Sequence, residues 1–112
     1  MADCIFCQIV AGKIPAQKVH ETDHVLAFKD LHPQAPTHVL VIPKQHVAGL
    51  SSLGAEHAQL SGQVLLAVGE VAKKLGLSDF RVAINNGAGA GQSVFHLHLH
   101  LLGGRALSWP PG

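Results

Sequence analysis

Charge is scarce in this sequence. Eight Lys and Arg balance seven Asp and Glu, a formal net charge of +1. No cluster of Lys and Arg occurs, which removes the electrostatic case for binding duplex nucleic acid. A small anionic ligand is not excluded, because it needs only local donors. No apolar stretch approaches the length of a membrane span, so no membrane partner is expected. The opening residues, MADCIFCQIV, lack a basic stretch ahead of a long apolar run. A signal peptide is therefore not expected, and a cytoplasmic location is the default expectation. Only two cysteines are present, Cys4 and Cys7. In a reducing compartment they are thiols or metal ligands and not a structural disulfide. No repeat, low-complexity linker or compositional break divides the chain, so a single domain over residues 1–112 is expected. Its core is real but modest, and association would enlarge it.

What the sequence does contain is apolar residues, at 47%, and nine histidines. CIFCQIVAGKIP predicts a short helix stopping at Gly12. KVHETDHVLAFKD predicts two strands around a polar turn, and HVLVIP a third strand ended by Pro43. Over residues 55–75, Leu60, Val64, Val68, Val71 and Leu75 recur at spacings of three and four, one face of a helix. Lys73 and Lys74 suit its last turn, and Gly76 its stop. Gly62 and Gly69 share a stripe on this helix. They are either tolerated drift or a place where another element, such as a second copy of the helix, comes close. FRVAIN and VFHLHLHLL predict two last strands, joined through the glycine-rich NGAGAGQS and paired antiparallel. The order predicts an α+β fold with a mainly antiparallel sheet.

In VFHLHLHLL, alternate residues face opposite ways. Leu97, Leu99 and Leu101 then face the core, against the long helix. His96, His98 and His100 share the other face, expected to be a wetter surface or cleft. A neutral imidazole there can attack phosphorus and carry a covalent intermediate, provided a carbonyl or another histidine orients its second nitrogen. NGAGAGQS lacks the lysine of a P-loop. Set directly before the histidines, its backbone N–H groups, with Gln92 and Ser93, are expected to approach a phosphate.

QSVFHLHLHLLGG resembles the signature of the histidine-triad (HIT) nucleotide hydrolases and transferases. LHPQAPTHVLVIPKQH and the tail LGGR…WPPG resemble the Hint branch, the purine nucleoside phosphoramidases, and the resemblance spans essentially the whole chain. It implies the HIT-like fold, a five-stranded, mainly antiparallel sheet with one long and one short helix, assembled as a homodimer. It implies hydrolysis of adenosine or guanosine 5′-phosphoramidates, such as nucleotidyl-lysine or aminoacyl adenylates, to the monophosphate and amine through a nucleotidyl-histidine. His98 matches the nucleophile, His38 the residue supporting it, His100 the phosphate contact and Ser93 a donor near the leaving amine, with Gln92 beside it. Asp30 matches the carboxylate that takes the ribose hydroxyls, and Asn85 a polar group near ribose and phosphate. Ile5, Phe6, Ile14, Phe28, Leu31 and Leu40 match the apolar surroundings of the base. Trp109 matches a tail residue reaching toward the active site, its own or a partner subunit's. The alternative is a nucleotide-binding regulatory or scaffold dimer with incidental turnover.

Cys4-x-x-Cys7 is half of a zinc site by spacing. The resemblance supplies His46 and His96 as the other half, since some family members bind zinc with this set. The competing reading is two buried free thiols, with His96 supporting the active site. The covalent route implies no cofactor requirement for catalysis.

Overall fold

Strands that are apolar at consecutive positions need cover on both faces. The computed structural model of the chain, which describes residues 3–112, supplies that cover with a helix on each side of one sheet. Helix α1 (Ile5–Val10) is followed by strands β1 (Lys18–Glu21), β2 (Val25–Lys29) and β3 (Thr37–Pro43). Two short 3₁₀ turns then lead into helix α2 (Ala58–Lys74), strand β4 (Phe80–Ala83) and strand β5 (Leu99–Gly103). The strands lie in the order β1-β2-β3-β5-β4, every neighbouring pair antiparallel. This is the α+β architecture, with one long and one short helix, that the sequence predicts.

Alternation along the strands sorts the core into two layers. Val25, Ala27, Val39, Val41, Leu99 and Leu101 face α2 and pack on its Val64, Ala67, Val68, Val71 and Ala72. Leu26, Phe28, Leu40 and Ile42 face the other way, onto Phe6 and Ile9 of α1. The second layer is thinner, because α1 has only six residues. The cavity described below opens in that layer.

Two elements depart from the sequence expectation. The helix stripe ends before Leu75, which is exposed at the C-cap. Leu77 packs on the core in its place. Gly76, at φ +71°, reverses the chain. Its N–H donates to the Lys73 carbonyl at 3.1 Å, and the Leu77 N–H to the Ala72 carbonyl at 2.9 Å. These are the paired bonds of a Schellman stop. The other departure is the last strand, expected from residue 94. The β3–β5 ladder begins at Val41↔Leu99. Further back it would reach Pro43, which has no N–H to donate. Residues 94–98 are held by other means.

On the outer side of α2, Leu65 and Leu66 are 61% and 69% exposed. A Cβ added at Gly62 or Gly69 would meet nothing within 4 Å. Among the described residues no close approach explains these glycines.

Because Gly76 occupies the left-handed region, Gly76→Ala is expected to cost about 1 kcal/mol, read as a lower urea midpoint with an unchanged slope.

Candidate active site and metal centre

The cavity lies between α1 and the sheet and has a volume of about 310 Å³. Its apolar walls come from Ile5, Phe6, Ile14, Phe28, Leu31 and Leu40, all six of the expected positions. Phe6 meets Phe28 edge-on at 5.5 Å. Asp30, Ser93, His98 and His100 also line it. The sequence reading missed Ile9, Pro15, Ala16, Gln17, Lys29, His32 and Val94. Ile9 stands four residues after Ile5 on the same helix face, a signal that was available. Gln17 and His32 arrive from turns, where no periodicity marks them.

Three hydrogen bonds set the protons of the histidines. The backbone N–H of Gln34 donates to His38 Nδ1 at 3.0 Å. Neutral His38 therefore carries its proton on Nε2. That nitrogen is 2.9 Å from His100 Nδ1 and 3.4 Å from Asp30 Oδ2. Donation to His100 Nδ1 leaves the His100 proton on Nε2, a buried atom with no partner among the described residues. His98 Nδ1–H donates to the His96 carbonyl at 2.8 Å, which leaves its Nε2 lone pair free. Both rings line the cavity, 5.0 Å apart, His98 with its Nδ1 already bonded and His100 with its Nε2 unpartnered among the described residues. Arg105 Nη2 donates to the Gln34 carbonyl and steadies the loop that begins this chain of bonds.

The histidine face is not wet. His96 is fully buried and His98 only 7% exposed, because α1 covers them. His38 was expected beside the nucleophile. It sits against His100 instead, and the group holding His98 is the His96 carbonyl. Gln92 does not reach the cavity. Its Oε1 accepts from Gly87 N–H, and its Nε2 donates to the carbonyls of Ala48 and Val94. The glycine loop also uses its own amides: Gly87, Ala90, Gly91 and Gln92 all donate within it. Ser93 and Val94 are what this stretch contributes to the cavity. Asn85 is half-buried, with its amide nitrogen beside Gly91, and does not line the cavity. Trp109 is 79% exposed and stacks on the Arg81 guanidinium at 5.7 Å, away from its own chain's cavity.

Next to the cavity, Cys4, Cys7, His46 and His96 bring four donor atoms within 4.8 Å of one another. Cys4 Sγ is 3.3 Å from His96 Nδ1, and Cys7 Sγ is 3.3 Å from His46 Nδ1 and 3.5 Å from His96 Nδ1. The two Nδ1 atoms are 3.2 Å apart. Donors on a tetrahedral zinc, at bond lengths of about 2.0–2.3 Å, stand about 3.3–3.8 Å from one another. His96 Nε2–H donates to the Pro43 carbonyl at 2.8 Å, which turns its Nδ1 lone pair into the cluster. Fixing a ligand's tautomer through its second nitrogen is what metal sites require. The donor set therefore fits zinc. Asp30, His38 and His100 also converge, but the hydrogen-bond chain above already uses their facing atoms.

Burial lowers the pKa of both His38 and His100, and the Asp30 charge opposes it only in part. For His100 the neighbouring His98 and His38 push further in the same direction. Below about pH 6.5 the unfolded chain takes up protons that these folded imidazoles refuse. Their contribution to stability is complete above that pH and is lost as pH falls through the folded values. The urea midpoint should drop between pH 7.5 and 5.5. The drop should shrink in His38→Gln and His100→Gln, and equal drops in all three proteins would contradict the assignment.

Comparison with known proteins agrees with this geometry. Residues 11–107 match the model of the HIT domain. The chain is 57% identical over 111 residues to an uncharacterized HIT-like protein of Synechocystis, covering 98% of this chain and 97% of that one. It is 48% identical to a 14 kDa zinc-binding protein of Zea mays, covering 96% and 87%. The crystal structure of a HIT family hydrolase from Legionella pneumophila superposes with a TM-score of 0.95 at 46% identity, covering 98% of this chain and all of the other. With the His-φ-His-φ-His run of β5 and its approach at the cavity, these matches show that the chain belongs to the HIT family.

Proposed function

We propose that this single HIT domain is a nucleotide hydrolase that cleaves purine nucleoside 5′-phosphoramidates. The observation carrying the proposal is that His98, its Nδ1 held by the His96 carbonyl, and His100, its Nε2 unpartnered among the described residues, line one apolar cavity together with Asp30 and Ser93. Phe6, Phe28, Ile5, Ile14, Leu31 and Leu40 take the base, and Asp30 takes the ribose hydroxyls. That places the α-phosphorus against His98. His98 Nε2 attacks, the P–N bond breaks, and the leaving nitrogen takes a proton from the Ser93 hydroxyl, which solvent replenishes, so that it departs as the amine. His100 Nε2–H donates to the phosphoryl oxygen as charge grows there. Water then attacks the nucleotidyl-histidine, releasing the monophosphate and restoring His98. His38 fixes the His100 tautomer. The catalysed reaction named for the Legionella relative, hydrolysis, supports this reading.

We assign Cys4, Cys7, His46 and His96 to a structural zinc; the donor spacing and the name of the maize relative support it. Held by these four residues, zinc would tie the N-terminus of α1 to the chain before β5 and would serve structure, not the chemistry. Gly62, Gly69, Leu65 and Leu66 on α2, with the exposed edge strand β4, are assigned to a two-fold contact with a second copy.

His98→Ala should abolish cleavage of a fluorogenic adenosine phosphoramidate while AMP still binds. Mass mapping of the wild-type protein with a slow thio-substituted nucleotide should find the nucleotide on His98. Turnover by the variant near wild-type rates would remove the nucleophile, and purine binding without any turnover in the wild type would favour the scaffold reading. Leu66→Glu should convert a dimer to a monomer in sedimentation velocity. Elemental analysis should find about one zinc per chain, reduced by Cys7→Ser.

A further inference from the structure

The two sites share their supports. Cys4 and Cys7 bracket Ile5 and Phe6, which wall the cavity. Cys4 is also the N-cap of α1, its sulfur accepting from the Cys7 N–H at 3.3 Å. His96 sends its ring into the donor cluster and offers its carbonyl to His98 Nδ1. The Phe6 ring lies edge-on to both, 5.9 Å from His96 and 5.2 Å from His98. So one cluster holds the base wall, through the first turn of a six-residue helix, and the nucleophile, through one backbone carbonyl. A helix that short is not stable on its own and takes its position from what anchors it.

From this we infer that the Cys4, Cys7, His46 and His96 cluster positions both halves of the nucleotide cavity, so that zinc and purine nucleotide bind with reciprocal positive coupling. The inference rests on the nucleotide reading given above. His96 is a positioning residue: its ring answers to the metal and its carbonyl to the nucleophile. Zinc loss frees α1 to swing and His98 to turn, and the nucleotide must then supply the ordering itself. Linkage requires the effect to run both ways: a nucleotide seated against Phe6 and His98 holds the donors around the ion.

Two measurements on the zinc-loaded chain test this. In the first, zinc release to a chromophoric chelator is followed with and without saturating AMP. The zinc dissociation constant read at equilibrium from this competition is expected to fall about fivefold or more with AMP, and the AMP dissociation constant to rise by the same factor on zinc removal. In the second, amide exchange is compared before and after zinc removal. Faster exchange is expected in residues 4–12 and 94–98, with β2 and β3 unchanged. AMP binding with an unaltered equilibrium affinity for zinc overturns the coupling and leaves the nucleotide reading intact. No AMP binding to the zinc-loaded chain overturns both. Exchange that rises equally across the whole sheet makes the metal a general stabiliser and overturns the positioning role, as does a chain that takes up no zinc.

Discussion

Pro43 closes the central strand, and the site depends on how the neighbouring chain is held beyond it. A proline offers a carbonyl but no N–H, so the regular ladder cannot run past this point. The carbonyl accepts from His96 Nε2. Leu97 N–H turns to the Val47 carbonyl at 2.7 Å, and His98 Nδ1–H to the His96 carbonyl. Three bonds thus replace the ladder over residues 96–98 and give each residue its own task. His96 looks into the cysteine cluster, Leu97 into the core and His98 into the cavity.

Two adjacent histidine systems differ because their second nitrogens are held differently. His98 has a carbonyl behind it and keeps a lone pair in front. His100 has a donor behind it, His38, and keeps a proton in front. The difference begins at a backbone N–H, that of Gln34, since the amide can only donate. Identical side chains two residues apart on one face so differ in which nitrogen carries the proton and which the lone pair. Asp30 stands within reach of this chain and also lines the cavity, which joins a carboxylate to the histidines there.

Much of this was legible in the sequence. Alternation placed Leu97, Leu99 and Leu101 against α2 and the histidines opposite, because the two-residue period of an extended chain survives the loss of the ladder. Six apolar residues of the cavity wall were named through the family resemblance, while Ile9, Pro15, Ala16 and Val94 were not; the residues themselves read only as core. Gln92 and the glycine loop were misjudged for one reason. A polar side chain beside glycines looks free in a sequence, yet one that is buried must bond to the backbone around it. Gln92 does that work. Trp109 was expected at the site, but in its own chain it lies on Arg81 at the far edge of the sheet.

By itself the sequence determined the strands, the long helix and its stop at Gly76, and the residue types on each face. These follow from short-range geometry: periodicity, proline and left-handed glycine. The tertiary structure alone decided that α1 folds over the histidine face and that His38 bonds to His100 and not to His98; the convergence of Cys4 and Cys7 with His46 and His96 was legible only through the family resemblance. Those outcomes bring together residues up to 92 positions apart in the chain, and no local pattern encodes the angle at which a six-residue helix settles on a sheet.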